Sequence, residues 1–460
     1  MKINNNISAV ITNKHLLRTE KSLSFSMERL SSGFKLNHSW DNPSGVAISN
    51  KMNAQIDGLD RASSNASDGM SVLDTADGAM NEITLMIQRM RELSVQAAND
   101  TNTQDDKQAI QDEIDSLTQE IDRVSSSTEF NTKSLLDGSL DNRVYTEHVT
   151  RPQISSTVEE GNYKFKIDAA AKQAEAEIPS GIPDTIQHDG RMEINGYPIE
   201  LKKGMSKDDV YEKIRQGAEI GGCTISDDPN ATPLKVTSME YGVEAKTYIS
   251  FNNKDLASEF GMDAAGVKSQ GEDASVTLDK SSSSQFKDHT QATVSMEGNK
   301  MVITDNEGFE ISFMAEAGYT GDIDLEVTDI GPMDLQIGAN EGQRIAVKIP
   351  AMDTKSLYID DIDVRKMGGA DKAIAKYDAA LDKISQTRAN IGAYSNRLDH
   401  SVAALDTTHE NVTSAITRLK DVDMAEEMTE FTKYNVLQQA GTSALSQANE
   451  IPQMALQLLG

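Results

Sequence analysis

At 460 residues the chain has room for two to four domains. It carries 73 acidic against 44 basic side chains, for a formal net charge of −29. That balance excludes the clustered Lys and Arg on which duplex nucleic-acid binding is built. Hydrophobic residues make up 37% and aromatics 5%, with Trp40 the single tryptophan, a composition lean for large globular cores and suited to long helical rods. No apolar run approaches the roughly 18 residues needed to cross a bilayer, so no membrane insertion is expected. The opening Met1–Ile7 stretch lacks the apolar core of a secretory signal, which by the usual rule predicts a cytoplasmic protein. The lone Cys223 leaves the compartment open.

In chain order, residues 1–42 read as the start of an amphipathic helix. Ile3, Ile7, Val10, Leu16, Leu23, Met27, Leu30 and Phe34 recur mostly at steps of three, four or seven. Basic residues (Lys14, Arg18, Lys21, Arg29, Lys35) outnumber acidic ones, against the trend of the whole chain. Such a segment suits a membrane surface or, the favoured reading, a protein partner. The stretch Asn37 to Gly45 is a breaker cluster.

A second periodic run follows through Met52, Ile56, Leu59, Ser63, Ala66, Met70, Leu73, Ala76, Met80, Ile83, Ile87 and Met90, with one local slip between Leu73 and Ala76. A polar loop, 99–103, separates it from Ile110, Ile114, Leu117, Ile121 and Val124, which predict a shorter helix folded back antiparallel. Thr103 with Asp106 forms an N-cap pattern at its start.

From about 140 to 334 the pattern becomes strand-like: Tyr163–Ile167, Met192–Ile194, Tyr197–Leu201, Lys246–Phe251, Ala292–Met296, Met301–Thr304 and Phe309–Phe313. Asn195-Gly196 is a strong hairpin turn, a helix is predicted from Lys207 to Arg215, and Pro179, Gly181 and Pro183 mark a boundary. One or two acidic β-rich modules are expected here.

Helical character resumes after Gly368-Gly369. Ile374, Tyr377, Leu381, Ile384, Ile391, Leu398, Val402, Leu405, Val412, Ile416 and Leu419 alternate steps of three and four, interrupted by Arg388, Ser395 and His409. A mean period of 3.5 requires left-handed supercoiling against partners. At 1.5 Å per residue the rod is roughly 70 Å long, and Met52–Met90 with Ile110–Val124 are its expected intrachain cover. The pattern runs on past Leu419, through Met424, Met428, Phe431, Val436, Leu437, Ala440, Leu445 and Ala448, to the terminal Leu456–Leu459. Exposed leucines there call for another subunit. The two chain ends thus close one bundle around an insertion.

Catalytic chemistry is not visible in the sequence. His409-Glu410 begins like a zinc-protease HExxH, but Thr413 replaces the second His, and His409 is read as a structural member of the seam. There is no Walker A, GxGxxG or GxSxG sequence and no metal-ligand cluster, so no enzyme, cofactor or metal is expected. Asn65, Asn230 and Asn411 open N-glycosylation tripeptides, and the methionines are read as core filler.

Several ordered segments resemble bacterial flagellin, the subunit of the flagellar filament. On the N-terminal side these are Leu30–Leu36, Ala47–Met52, Gln88–Gln96, Glu129–Asn131 and Leu135–Gly138. On the C-terminal side they are Leu335–Gln343, Ile391–Leu398, Asp421–Ala425 and Leu456–Leu459. The resemblance covers about 1–140 and 335–460. It implies an α+β fold in which both chain ends form a long, coiled-coil-like helical bundle carrying an inserted β-rich outer module. Residues 1–42 and 420–460 would line the filament channel, 43–140 and 335–419 would form the wall, and 141–334 would be the variable insert.

It further implies a secreted, extracellular protein of the bacterial flagellum, exported through the flagellar type III apparatus, which replaces the cytoplasmic expectation. The implied partners are copies of itself, an export chaperone at the C-terminal helix, and the filament cap and hook-junction proteins. For some members Toll-like receptor 5 is a further partner, recognising positions that match Gln88, Arg89, Leu93 and Glu113. A hook–filament junction protein and a filament subunit with an adhesive outer module are the alternatives. The hairpin at Asn195-Gly196 resembles a short motif of flagellar outer modules. Two features depart from the family pattern: Trp40 and Pro43 in the loop, and an insert that precedes the 335–340 segment rather than following it. Burial of apolar stripes by neighbouring subunits predicts terminal helices that order on polymerisation.

Overall fold

The computed structural model describes residues 6–99, 101–155, 157–281, 284–289, 291–306 and 308–457. Ile3, Leu458 and Leu459 and the side chain of Leu456 lie outside them. The chain divides into two compact units. One comprises Met1–Asp68, Gln336–Arg344 and Arg397–Gly460, and the other Gly69–Leu335 and Ile345–Asn396.

Helix α1 (Ile7–Ser32) begins on the Asn6 side chain, which accepts the Ala9 N–H, and ends at Gly33, whose φ of 76° suits a left-handed cap. The helix therefore stops ten residues short of the expected 1–42 span. Helix α2 (Pro43–Ala97) starts with proline at its first position, where a missing N–H costs nothing. Asn42 caps it by accepting from Gly45 N–H at 3.0 Å. Pro43 thus initiates the helix instead of disturbing the loop. Helix α3 (Gln104–Ser127) carries a full capping box between Thr103 and Asp106. The two short strands β1 (Glu129–Phe130) and β2 (Lys133–Ser134) pair just after it.

The insert is two modules, one nested inside the other. Its first strands are β3 (Arg143–Thr146), β4 (Val149–Ile154) and β5 (Gly161–Ala169). The chain then leaves for an outer module: β6 (Gln173–Ile178), β7 (Gly190–Ile194), β8 (Tyr197–Leu201), α4 (Lys207–Ile220), β9 (Cys223–Ile225), β10 (Leu234–Tyr241), β11 (Lys246–Phe251), α5 (Lys254–Glu259) and β12 (Val267–Gln270). It returns as β13 (Ser275–Leu278), β14 (Thr293–Glu297), β15 (Lys300–Thr304), β16 (Glu310–Ala315) and β17 (Gly321–Thr328). Departure and return are stitched at Lys172, whose N–H reaches Glu272 O at 2.8 Å and whose ammonium lies 2.6 Å from the Glu272 carboxylate.

The inner module packs sheet β13-β5-β17-β3 and sheet β14-β15-β16-β4 around one core, the outer one sheets β6-β10-β9 and β12-β11-β7-β8 around another. Alternation sets the faces. Tyr163, Phe165 and Ile167 point inward from β5, and Ile323, Leu325 and Val327 from β17. Lys164 and Asp324 lie directly opposite and pair at 3.8 Å. A short hairpin, β18 (Met333–Gln336) and β19 (Arg344–Val347), follows.

Helix α6 (Gly369–Lys420) begins after Gly368, at φ 70°, and helix α7 is Met424–Gln457. The expected unbroken run past Leu419 is interrupted. Asp421 pairs with Phe34 in an antiparallel bridge, and Asp423 restarts the helix by accepting from Ala425 N–H at 2.9 Å and Glu426 N–H at 3.2 Å.

The heptad seams exist, with two corrections. On α2 one buried row runs through Leu59, Ala62, Ala66, Gly69, Leu73, Ala76, Met80, Ile83, Ile87, Met90, Ser94 and Ala97, with Val72 and Leu93 buried beside it and Gly45 and Ser49 buried nearer the helix start. The row alternates three and four without a break, so the slip expected after Leu73 is absent. Met52, Ile56 and Met70 are half-buried. On α6 the buried row is Ala370, Ala373, Tyr377, Ala380, Ile384, Thr387, Ile391 and Leu398. Small residues, one place earlier than Ile374, Leu381 and Arg388, hold alternate seam positions and allow close helix approach. Ile416 is buried, whereas Val402, Leu405, Val412 and Leu419 are half-buried. On α3, Ile110, Ile114 and Ile121 are buried and Leu117 half-buried.

Candidate assembly and recognition surfaces

Two surfaces carry the sequence-predicted residues, one in each unit. In the unit holding both chain ends, α1 and α7 run antiparallel. Asn6 Nδ2 donates to Ala448 O at 2.8 Å, and Ser26 Oγ to Glu427 O at 3.4 Å. Beyond the helices, Lys35 N–H reaches Lys420 O at 2.8 Å, Val422 N–H reaches Gly33 O at 3.0 Å, and the Lys420 ammonium lies 4.1 Å from the Phe34 ring centroid.

A lone pair of helices buries little. Among the described residues, Ser26 and Ala448 are the buried positions on the two. Ile7, Val10, Ile11, Leu17 and Met27 on α1, with Met424, Met428, Val436, Leu437, Ile451 and Met454 on α7, are each 47% exposed or more. So many large apolar side chains on one element pair mark an interaction surface.

The same unit contains the 336–344 turn, packed on α2. Gln336 Nε2 bonds the carbonyls of Gly338 and Asn340, both at 2.8 Å, and Asn65 Nδ2 donates to Gln336 O at 3.2 Å. Gly58 makes the approach possible, since a Cβ there would lie 2.9 Å from the Ala339 Cβ. His409, the fragment of a zinc motif, pairs its Nε2 with Asp60 at 3.2 Å, and no metal-binding group of His, Cys, Asp and Glu occurs among the described residues.

In the other unit, the second half of α2 packs on α3 and the first half of α6. Arg89 spans α2 and α3, with Nε 3.0 Å and Nη2 2.9 Å from the same Glu113 oxygen and Nη1 3.5 Å from Glu92. The bonds to Glu113, reinforced by its charge, raise the Arg89 pKa above its ordinary value. Arg91 reaches the other way, to Asp378 of α6 at 2.6 Å, with its pKa raised in the same manner. Gln88, Arg89 and Glu113 are exposed, Arg89 bridging to Glu113, but Leu93 is 2% exposed and belongs to the core. The carboxylates Asp77 and Asp378 receive Arg388 and Arg91. In the sequence their signal is no more than an acidic residue on the flank of each seam.

The architecture is that of a chain whose two ends fold together into helices with an uncovered apolar side, while its middle is a nested β insert. Comparison with known proteins matches residues 3–141 to the bacterial flagellin N-terminal helical region and residues 374–459 to the bacterial flagellin C-terminal helical region. Polar flagellin A of Vibrio parahaemolyticus serotype O3:K6 (strain RIMD 2210633) is 31% identical over 460 residues, covering all of both chains. Flagellin D of Vibrio anguillarum is 33% identical over 460 residues, again covering all of both. Among solved structures, FliC from Burkholderia pseudomallei is similar at 17% identity and a TM-score of 0.25, covering 72% of this chain and 99% of that one.

The chain belongs to the bacterial flagellin family, whose members are structural subunits of the flagellar filament. Among the described residues no helix is long and apolar enough to cross a membrane.

Proposed function

We propose that this chain polymerises with copies of itself into an extracellular bacterial flagellar filament and transmits motor rotation as thrust, acting by assembly and not by catalysis. The observation that carries the reading is the open apolar side of the α1–α7 pair. The exposed side chains are too many for a helix pair meant to stay in water, and burial against neighbouring subunits offsets the entropy of ordering the chain ends. In this reading residues 1–42 and 420–460 line the channel, 43–140 and 335–419 build the wall, and 141–334 is displayed outside. The same apolar face of α7 suits an export chaperone before secretion, and the filament ends meet the cap and hook-junction proteins.

The experiment is truncation. Removing residues 1–42 or 420–460 leaves a soluble monomer with its β signal intact that forms no filaments under electron microscopy. Filaments from either truncated chain would sink the proposal.

The exposed Gln88, Arg89 and Glu113 group supports recognition by Toll-like receptor 5, with Leu93 supporting the face from beneath. Arg89→Ala and Glu113→Ala are expected to lower signalling in receptor-bearing reporter cells without changing the helical content of the monomer. Unchanged signalling removes these residues from the claim.

A further inference from the structure

Trp40 is the single tryptophan of the chain, and it is 67% exposed. It is nevertheless held in one orientation. Its ring stacks on His38 with centroids 4.1 Å apart and planes 22° from parallel. His38 is fixed in turn, its Nε2 lying 2.7 Å from the Glu28 carboxylate of α1. The Asp41 carboxylate accepts the N–H groups of Asn37 at 3.1 Å and His38 at 2.9 Å. The His38 bond is the main reason its pKa falls below the ordinary carboxylate value. Both ends of the loop are tied as well, to Lys420 through Lys35 and into α2 through Asn42 and Pro43.

A large ring kept in water and locked in place loses little freedom when a partner covers it. Rigid, preorganised tryptophans of this kind are the usual anchors of protein interfaces. We propose that Trp40 is a preformed anchor by which one copy of this chain docks onto a second copy. The inference rests on the self-assembly proposed above.

Two observations select a second copy as the occupant. The unit that carries Trp40 also carries the open apolar side chains of α1 and α7, which the proposed self-assembly covers with a like chain. Residues 1–42 hold six basic side chains against three acidic ones, while the whole chain has a net charge of −29. Another copy, acidic overall, is complementary in sign to this basic segment.

With one tryptophan, the native full-length chain reports on the question directly. Assembly is followed by light scattering and electron microscopy, and Trp40 by intrinsic emission and acrylamide quenching. As filaments form, the emission should move to shorter wavelength and quenching should fall. Trp40→Ala should raise the critical concentration for assembly by about tenfold or more, and Trp40→Phe by less, with monomer circular dichroism unchanged in both.

Filaments that assemble while Trp40 stays freely quenched, with Trp40→Ala polymerising at the wild-type concentration, overturn the anchor and leave self-assembly standing. Shielding already complete in dilute monomer also overturns it, because the occupant is then the chain itself. A chain that never forms filaments removes both proposals.

Discussion

Arg388 forks onto Asp77, with Nε 2.7 Å from Oδ1 and Nη2 3.2 Å from Oδ2, joining α6 to α2 across 311 positions of sequence. By heptad count Arg388 interrupts the α6 seam, yet the seam is dry because Thr387 takes the inward position and sends Arg388 to its flank. Both partners remain about a third exposed, so water screens the pair and its net worth is small. Arg388→Leu is expected to change stability by less than about 1 kcal/mol. Asp77→Lys, which sets two cations together, should cost about 1 kcal/mol in urea unfolding followed by helical circular dichroism. A large loss from Arg388→Leu would mean that the pair, not the seam, holds the helices.

That pair shows what was legible in the sequence and what was not. The helices and the seam period follow from apolar spacing, and Thr103 with Asp106 placed the start of α3. The register of α6 differs from the apolar count because Ala373, Ala380 and Thr387 carry it. Small side chains score weakly as apolar, although they are what lets two helix backbones approach. Strand β6 is not legible locally because Gln173-Ala-Glu-Ala-Glu-Ile178 is made of helix formers, and tertiary pairing with β10 overrides that preference. Strand β17 does carry a local signal, since Asp322 to Val327 alternates acidic and apolar residues strictly. Of the four positions that match the proposed receptor-recognition pattern, Gln88, Arg89 and Glu113 are exposed, and the pattern carries no sign that Leu93 turns inward, since that depends on which side of α2 the seam occupies.

Lys383 sits on α6 among Glu310, Lys300, Asp141 and Asp353, and burial pushes its amine down from 10.5 to about 8. A base whose folded pKa is depressed binds fewer protons folded than unfolded between those two values. Its contribution to stability therefore improves as pH rises from about 8 to about 10.5, and at neutral pH the charged form is held at a cost. Lys383→Met should stabilise the chain by ~1–3 kcal/mol at pH 7. The difference between wild type and variant should shrink on going to pH 10.5. Denaturant titrations of both proteins at several pH values check the sign, and a difference that grows with pH would contradict it.

Tyr377 lies fully buried in the α6 seam, and among the described residues none is placed to make a well-formed hydrogen bond with its hydroxyl. The nearby Ser94 hydroxyl donates to Met90 O at 3.0 Å, and its oxygen faces the phenol closely enough to offset part of the effect of burial. Burial drives the phenol pKa well above its ordinary value, so the ring is present for its bulk and the oxygen is a liability. Tyr377→Phe keeps the bulk and is expected to gain about 1 kcal/mol. Tyr377→Ala should lose about 3–5 kcal/mol to the cavity it leaves. Urea midpoints of the two variants measure the contrast, and a loss from the Phe variant would reveal a partner for the hydroxyl.

Asn195 ties the outer module together from the tip of the β7–β8 hairpin. Its Nδ2 donates to Gly221 O at 2.7 Å and Lys246 O at 3.0 Å, and its Oδ1 accepts from Tyr248 N–H at 2.8 Å. It does so at a φ of 50°, which a side chain other than Asn or Asp tolerates poorly and Gly accepts freely. Two substitutions therefore separate two costs. Asn195→Gly loses the bonds, about 1–2 kcal/mol, and Asn195→Ala adds backbone strain of ~1 kcal/mol or more. Cys223 supplies the readout. Its thiol is 1% exposed, lies 3.3 Å from Asn195 Nδ2, and has its pKa raised chiefly by burial, so it reacts with a thiol reagent only when the module opens. Since 1.4 kcal/mol is tenfold in the open population, labelling should quicken about tenfold in the Gly variant and about a hundredfold in the Ala variant. Equal rates in the two would show that strain at Asn195 is negligible, and wild-type rates in both would show that its bonds do not hold the module closed.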